Sequence, residues 1–412
     1  MSDQTARKVP PIRFKAFEAG WEEEKIGDVL AEKRRPIVLN DHQSYELITV
    51  KRRNEGVVSR GHLLGRDILV KNYAQLQTGD FVISKRQLVH GATGVIPSAL
   101  DGAIVSNEYL TAVDSDKLLM EFFTIVATLP AMRRKFFLSS YGVDIEKLLF
   151  DADDWKKRSV TIPGVAEQTL IGTFFRKLDQ LVGLHQRKHD KLLALKKAML
   201  QKMFPKNGSV TPEIRFKGFF GAWVQKKLGD LGRTQSGIGF PESQQGGKVG
   251  TPFFKISDMS LSGNEAEMLT SNNYVSEEQV RQRRWTPISD VPAVIFAKVG
   301  AAIMLNRKRM VRSPFLIDNN AMAYIFDSSW DTNFGKTLFD TINLPSYAQV
   351  GALPSYNGSD IESIVILRPE DKIEQQKIGA HFRALDSLTS QHATQLHKLQ
   401  QIKSACLEKM FV

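Results

Sequence analysis

Residues 167–204, "EQTLIGTFFRKLDQLVGLHQRKHDKLLALKKAMLQKMF", are written a second time at 374–411 as "EQQKIGAHFRALDSLTSQHATQLHKLQQIKSACLEKMF". Adding 207 to each number in the first copy aligns the two without a gap, and 18 of the 38 positions then match. Gly172/Gly379, Phe175/Phe382, Arg176/Arg383, Leu178/Leu385, Asp179/Asp386 and His185/His392 are among them, as is the closing Lys-Met-Phe. Agreement of that kind reflects duplication.

Each copy reads as a long helix. Neither contains proline, and residues recur every seventh place: Ile171, Leu178, His185, Leu192 and Met199, then Ile378, Leu385, His392, Leu399 and Cys406. A second line runs through Phe174, Leu181 and Leu195, and through Leu388 and Ile402, interrupted by Lys188, His381 and Gln395. A sustained period of seven is the seam of a coiled coil, and each helix would be about 55 Å long. A pseudo-two-fold axis between the halves would make the helices antiparallel and bring His185 to His392. The expected role of that pair is a polar layer that fixes register, because no carboxylate or cysteine cluster accompanies it.

A second repeat precedes the helices. Pro10–Asp28, "PPIRFKAFEAGWEEEKIGD", matches Pro212–Asp230, "PEIRFKGFFGAWVQKKLGD", at an offset of 202. A third trace, "SSYGVDIE" at Ser139–Glu146 and "PSYNGSDIE" at Pro354–Glu362, comes late in each half, before the strand-like runs "SVTIP" and "VILRP". The chain is therefore a leading segment, a variable region and a long helix, and then the same again. The expected domains are 1–163, 164–206, 207–369 and 370–412, with a helix stop and Asn-Gly turn in "PKNGSVTPEIRF" from Pro205.

Inside the variable regions the two halves diverge. Tyr45–Val50, Asp80–Lys85 and Ala103–Val113 read as strands, as do "PFFKIS", "AVIFAK" and "NAMAYIF" in the second half. "DKLLMEFFTIVATLPAMRRKFF" has helical spacing broken near Pro130. The predicted fold class is mixed α/β: two pseudo-two-fold-related α/β globules separated by two long antiparallel coiled-coil helices.

With 412 residues, two or three domains can each bury a core. No run approaches a membrane span, and the opening "MSDQTARKVPPIRF" lacks the apolar centre of a signal peptide. The lone cysteine, Cys406, excludes an internal disulfide or a cysteine metal cage, and on the seam it reads as a small buried side chain. These features point to the cytoplasm. The net charge of +11 suits a polyanionic partner without requiring one.

Catalytic signatures are missing. There is no G-x-x-x-x-G-K-[ST] and no H-E-x-x-H. The two "LPSY" strings lack the amide or carboxylate that an Asn-Pro-Pro-Tyr methyltransferase motif needs at its first position. The glycine-rich Gly232–Gly250 stretch has no helix behind it to hold a phosphate and reads as a recognition or surface loop. What remains is basic loop chemistry. The first region carries Lys51, Arg52 and Arg53 after one strand and Lys85, Arg86 and Gln87 after another. The second carries Gln235, Ser236, Arg281, Arg283, Arg284, Lys298, Arg307, Lys308, Arg309 and Arg312. Such side chains neutralise phosphates or read guanine and adenine edges, although each taken singly also fits a solvated surface.

The chain as a whole resembles the specificity subunit of type I restriction–modification enzymes. Carrying the resemblance are Glu167-Gln168 and Glu374-Gln375 after a proline, the Ile-Gly pairs, Leu178-Asp179 and Leu385-Asp386. The Lys-Met-Phe endings and Trp21…Lys25-Ile26-Gly27-Asp28 with Trp223…Lys227-Leu228-Gly229-Asp230 complete the set. The resemblance implies that the variable regions are target recognition domains, each reading half of a split, asymmetric site in double-stranded DNA. It implies that the coiled coil sets the spacing and docks two modification subunits for adenine methylation, with two restriction subunits supplying translocation and cleavage. S-adenosylmethionine, ATP and Mg would then belong to those partners, none being bound by this chain, which carries no catalytic residue. Two other readings stay open: an enzyme with an unfamiliar site, and a structural adaptor that does not bind DNA.

Overall fold

The computed structural model describes residues 9–70, 72–206, 208–349 and 353–412. The opening residues 1–8 and Asn207 of the expected turn lie outside the described residues. The chain forms two compact units, Met1–Gly183 with His397–Val412, and Leu184–Leu396.

In the first unit Glu22–Lys25 pairs antiparallel with Ser159–Ile162, the strand-like run that precedes the central helix. A four-stranded antiparallel sheet follows, in the order Ala31–Glu32, Tyr109–Val113, Phe81–Ser84, Thr93–Val95. The second unit repeats both features. Val224–Lys227 pairs with Val365–Arg368, and the four-stranded order is Gly232–Ser236, Ala321–Phe326, Ala293–Ala297, Lys308–Val311. In each sheet the first strand of the region lies at the edge, the last beside it, and a hairpin completes it. Regions without visible sequence similarity thus share a frame, because buried strands need only an apolar pattern.

The additional sheets differ. The first unit has a five-stranded sheet built on the long hairpin Ser44–Val50 and Val57–Leu64. The second has a three-stranded sheet of Tyr274–Val275, Thr251–Phe254 and Leu316–Ile317. The expected single strand over Ala103–Val113 is two strands. Ile104–Ser106 joins the five-stranded sheet and Tyr109–Val113 the four-stranded one, with Asn107 and Glu108 turning between them. Pro130 occupies the first turn of the helix Pro130–Leu138, just after the helix Met120–Val126, where its missing N–H costs nothing.

The two repeated helices are Val165–Lys202 and Lys372–Lys409. Many of their shared residues are explained by what meets each end. In the first unit Phe411 packs 6.0 Å, ring to ring, from Trp21, Phe122 and Phe175. Ile12 N donates to Lys409 O at 2.9 Å, satisfying a carbonyl that the helix terminus leaves open. In the second unit Phe204 lies 5.6 Å from Trp223, 5.8 Å from Phe334 and 6.2 Å from Phe382, and Ile214 N donates to Lys202 O at 2.8 Å. At the helix starts, Arg13 Nε and Nη2 each donate to Glu167 at 2.7 Å, and Arg215 donates to Glu374 at 2.7 and 2.8 Å. Gln168 and Gln375 are buried and donate to Pro163 O and Pro369 O, which fixes how the preceding strand enters the helix.

Within each unit the two helix segments run antiparallel. Lys403 pairs with Asp179 in the first unit. In the second, Lys196 pairs with Asp386 at 2.6 Å and His185 Nδ1 meets His392 Nδ1 at 3.0 Å. One proton shared between the two rings satisfies that contact. Burial, then the neighbouring His185 and Lys188, hold the His392 pKa below the ordinary histidine range. The expected seam line is buried at Ile171, Leu178, Ile378 and Leu385, and half-buried at His185, Leu192, Met199, His392, Leu399 and Cys406.

The second line is not where the sequence suggests. Leu181 and Leu388 are 44% and 45% exposed, and Leu195 and Ile402 are 40% and 48% exposed. Its place is taken one residue later, by the buried Phe175 and Phe382 and the half-buried Val182, His189, Lys196, Thr389, Leu396 and Lys403. The polar members hid this phase, since Lys196 and Lys403 reach aspartates across the seam. Phe175→Ala or Phe382→Ala should therefore cost about 3–5 kcal/mol, whereas Leu181→Ala and Leu388→Ala should stay within about 0.5 kcal/mol. Chemical denaturation of the four variants checks the assignment, and equal losses from both sets would refute it.

Candidate nucleic-acid interface

The basic residues of the first unit come together. Lys51–Arg53 leaves the strand Ser44–Val50 and Lys85–Gln87 leaves Phe81–Ser84, and the two loops meet where Arg52 Nε donates to Gln87 Oε1 at 2.7 Å. The first loop is tightly shaped. Arg53 and Asn54 hold left-handed backbone angles (φ 60° and 58°), uncommon without glycine. Asn54 N donates to Gly91 O at 2.8 Å, its amide donates to Thr93 Oγ1 at 2.8 Å, and Arg133 donates to its carbonyl oxygen at 2.9 Å. Gly91 must be glycine, since its φ is +77° and a Cβ there would sit 2.8 Å from Asn54 Oδ1. Lys85 Nζ donates to Asn107 O at 3.0 Å, and Arg86 Nε donates to Glu108 at 2.5 Å. Lys51 and Arg53 are exposed.

Arg52 has a second partner, Glu146 Oε2, which accepts from Nη2 at 2.8 Å. His90 Nε2 stands 3.4 Å from the other oxygen of Glu146, within ion-pair range but without hydrogen-bond geometry. Glu146, Arg133 and Asn54 were not singled out by sequence reasoning. Only Glu146 left a trace there, as the last residue of the repeated Asp-Ile-Glu.

The second unit's candidates are dispersed. Gln235 and Ser236 end the edge strand Gly232–Ser236, opposite Ala323 and Met322. Arg281 pairs with Glu278, while Arg283 and Arg284 are exposed where the short helix Glu277–Arg283 ends on Arg284 in the left-handed region. Behind them Trp285 packs 5.2 Å from Phe253, whose ring stacks on Phe240 at 3.6 Å. Lys298 is half-buried after the strand Ala293–Ala297, Arg307 donates to Ser260 Oγ at 2.7 Å, and Arg312 bridges to Glu267 at 2.9 Å. Among the described residues no side-chain hydrogen bond or ion pair joins these groups to one another.

Two of the expected contact residues are engaged by backbone carbonyls. Lys308 is 3% exposed and its Nζ donates to Ile342 O at 2.6 Å. Arg309 donates to the carbonyls of Asn264, Lys308 and Met259. A charged run on an edge strand alternates its sides, and position 308 faces the core. The glycine-rich stretch is also packed rather than loose. A Cβ on Gly237, Gly247 or Gly250 would fall within 2.2 Å of the carbonyl oxygens of Asp318, Tyr274 or Val275.

Burial pushes the Lys308 pKa from 10.5 down to about 8, against the attraction of Asp340. The folded state therefore binds this proton less readily than the unfolded chain, so the group's penalty is full below pH 8 and fades as pH rises toward 10.5. Lys308→Met should raise stability at pH 7 by up to about 3 kcal/mol and flatten the pH dependence across that window. Asn306 Nδ2, which already donates to Ile342 O at 3.3 Å, keeps the carbonyl satisfied in the variant. Denaturation curves at pH 7 and pH 10 test this, and a less stable variant at pH 7 would refute it.

Neither a family model nor a curated protein matches the chain. Solved structures do. The S subunit of a type I restriction–modification system from M. genitalium matches with a TM-score of 0.63 at 12% identity, covering 98% of this chain and 99% of that one. The fold is that of a type I S subunit. Also similar are the HsdS subunit from Thermoanaerobacter tengcongensis (16% identity, 99% and 98% covered, TM-score 0.42) and a chain from a structure of complex assembly and conformational transition in the type I R-M system (16% identity, 96% and 98% covered, TM-score 0.48). Among the described residues no His, Cys, Asp or Glu cluster could hold a metal ion, and no helix is long and apolar enough to cross a membrane.

Proposed function

We propose that this chain is the sequence-specific DNA-binding subunit of a type I restriction–modification complex and has no catalytic centre of its own. Each recognition region reads one half of a bipartite, asymmetric site in double-stranded DNA, and the coiled coil sets the spacing. Two modification subunits dock on the chain and methylate adenine, and two restriction subunits supply cleavage. S-adenosylmethionine, ATP and Mg serve on those partners, and the complex works in the cytoplasm. The observation that carries this reading is the duplication itself: one sheet order and one set of helix-end contacts, built twice, bearing unlike loops. Two unlike readers on one scaffold suit an asymmetric site, as two like readers in a dimer suit a palindrome. The exposed pairs Leu181/Leu388 and Leu195/Ile402 add support for docking. Apolar residues kept outward at matching places in both helices offer two equivalent sites for two copies of one partner.

In cells making this chain with its modification subunit, single-molecule sequencing should show adenine methylation at a split motif that disappears when the chain is deleted. Exchanging residues 21–163 should change one half of that motif alone. Leu181→Asp with Leu388→Asp should cut co-purification of the modification subunit at least about tenfold, as buried interface leucines do, while leaving unfolding unchanged. Methylation independent of this chain would favour the adaptor reading.

A further inference from the structure

The repeated Asp-Ile-Glu motif takes no part in the helix-end contacts, yet both copies end against a segment that carries candidate contact residues. In the first unit Asp144 accepts from Glu146 N at 3.3 Å, turning the backbone so that Glu146 meets Arg52. In the second, Asn357 and Asp360 cap one another's backbone N–H at 3.0 and 2.9 Å, and Glu362 Oε1 accepts from both Thr234 N and Thr234 Oγ1 at 2.7 Å. Gly358 permits that approach, since a Cβ there would lie 2.5 Å from Thr234 Oγ1. Thr234 precedes Gln235 and Ser236 on the edge strand. The same motif position thus grips two unrelated segments, each carrying polar side chains suited to base edges.

The geometry at Arg52 shows what the grip achieves. Arg52 and Glu146 are 50% and 52% exposed, and a pair so open to water contributes little to stability. Its effect is to fix a direction. Gln87 takes Nε and Glu146 takes one hydrogen of Nη2, while among the described residues Nη1 has no partner. Both hydrogens of Nη1 and one of Nη2 are left over, and a planar guanidinium can present Nη1 and Nη2 together as a fork. That fork matches O6 and N7 of guanine, and a fork already immobilised loses less freedom on binding.

We propose that this glutamate is a positioning residue for base recognition in both units. Glu146 holds Arg52 for a guanine in one half-site, and Glu362 holds the Thr234–Ser236 edge that reads the other. The proposal rests on the DNA-reading function above. Its test uses the full chain assembled with its modification subunits, with methylated sites mapped by sequencing. Glu146→Ala should relax preference for one guanine about tenfold in one half-site and leave the other half intact, and Arg52→Ala should relax the same base. Glu146→Gln, whose amide oxygen still accepts from Arg52, should retain the preference. Glu362→Ala should relax the opposite half alone, and thermal unfolding of all four variants should match the parent. A split site unchanged by Glu146→Ala overturns the proposal while the wider function stands. So does loss of both halves together with a lowered unfolding temperature, the mark of a merely structural role. If the parent chain directs no methylation, the functional reading fails first and takes this one with it.

Discussion

The structure depends on how a long helix is held at its ends. A helix of 38 residues leaves open carbonyls at one terminus and open N–H groups at the other, and a single seam with polar members holds it weakly along its length. The two aromatic clusters, Phe411 on Trp21 and Phe175, and Phe204 on Trp223 and Phe382, supply the apolar burial that the seam lacks. Each cluster joins the end of one long helix, the start of the other and the leading segment of one half of the chain. The buried carboxylates Glu167 and Glu374 beside them are tolerable only because Arg13 and Arg215 meet them with two hydrogen bonds each. These are the residues that the two halves share, and their chemistry explains why they recur while the loops do not.

Much of this organisation was legible because a duplicated chain carries its own alignment. Many of the residues on which the copies agree meet a shared contact, as with Gly27 and Gly229, which lie against the backbones of Lys156 and Glu362. Legibility failed where chemistry imitated pattern. Leu181, Leu195, Leu388 and Ile402 look like a seam and face outward, while the true second line contains lysines. The run Ala103–Val113 looked like one strand because its two-residue turn is shorter than the smoothing that any periodicity reading imposes. Lys308 looked like a ligand-facing cation because burial depends on strand side, which a cluster of charges conceals. The basic loops were legible only as composition. That Arg52, Gln87 and Glu146 converge depends on three segments meeting in space, and no spacing along the chain encodes it.

The shared sheet order explains how unlike loops coexist on one frame. The four-stranded sheet is fixed in both units by buried apolar positions, with Phe81 and Ile83 in one and Val294 and Phe296 in the other. Its loops are held by contacts of their own, separate from that core. Sequence there can change without disturbing the aromatic clusters or the seam, provided that something still holds each loop in a single conformation. Left-handed Asn54 on Gly91 does this in one unit, and close-packed glycines do it in the other.

The way the units are assembled from the chain also bears on how the protein is made. Leu184–Leu396 is one continuous segment, so the contacts described within it can form once that segment has been synthesised. The other unit includes His397–Val412, so the cluster around Trp21 lacks Phe411 until the last turn of the final helix has emerged. Of the two units, the one that begins earlier in the chain is therefore completed later. Until then it exposes the apolar faces of Trp21, Phe122 and Phe175, a long-range closure of the kind that slows folding and invites misassembly.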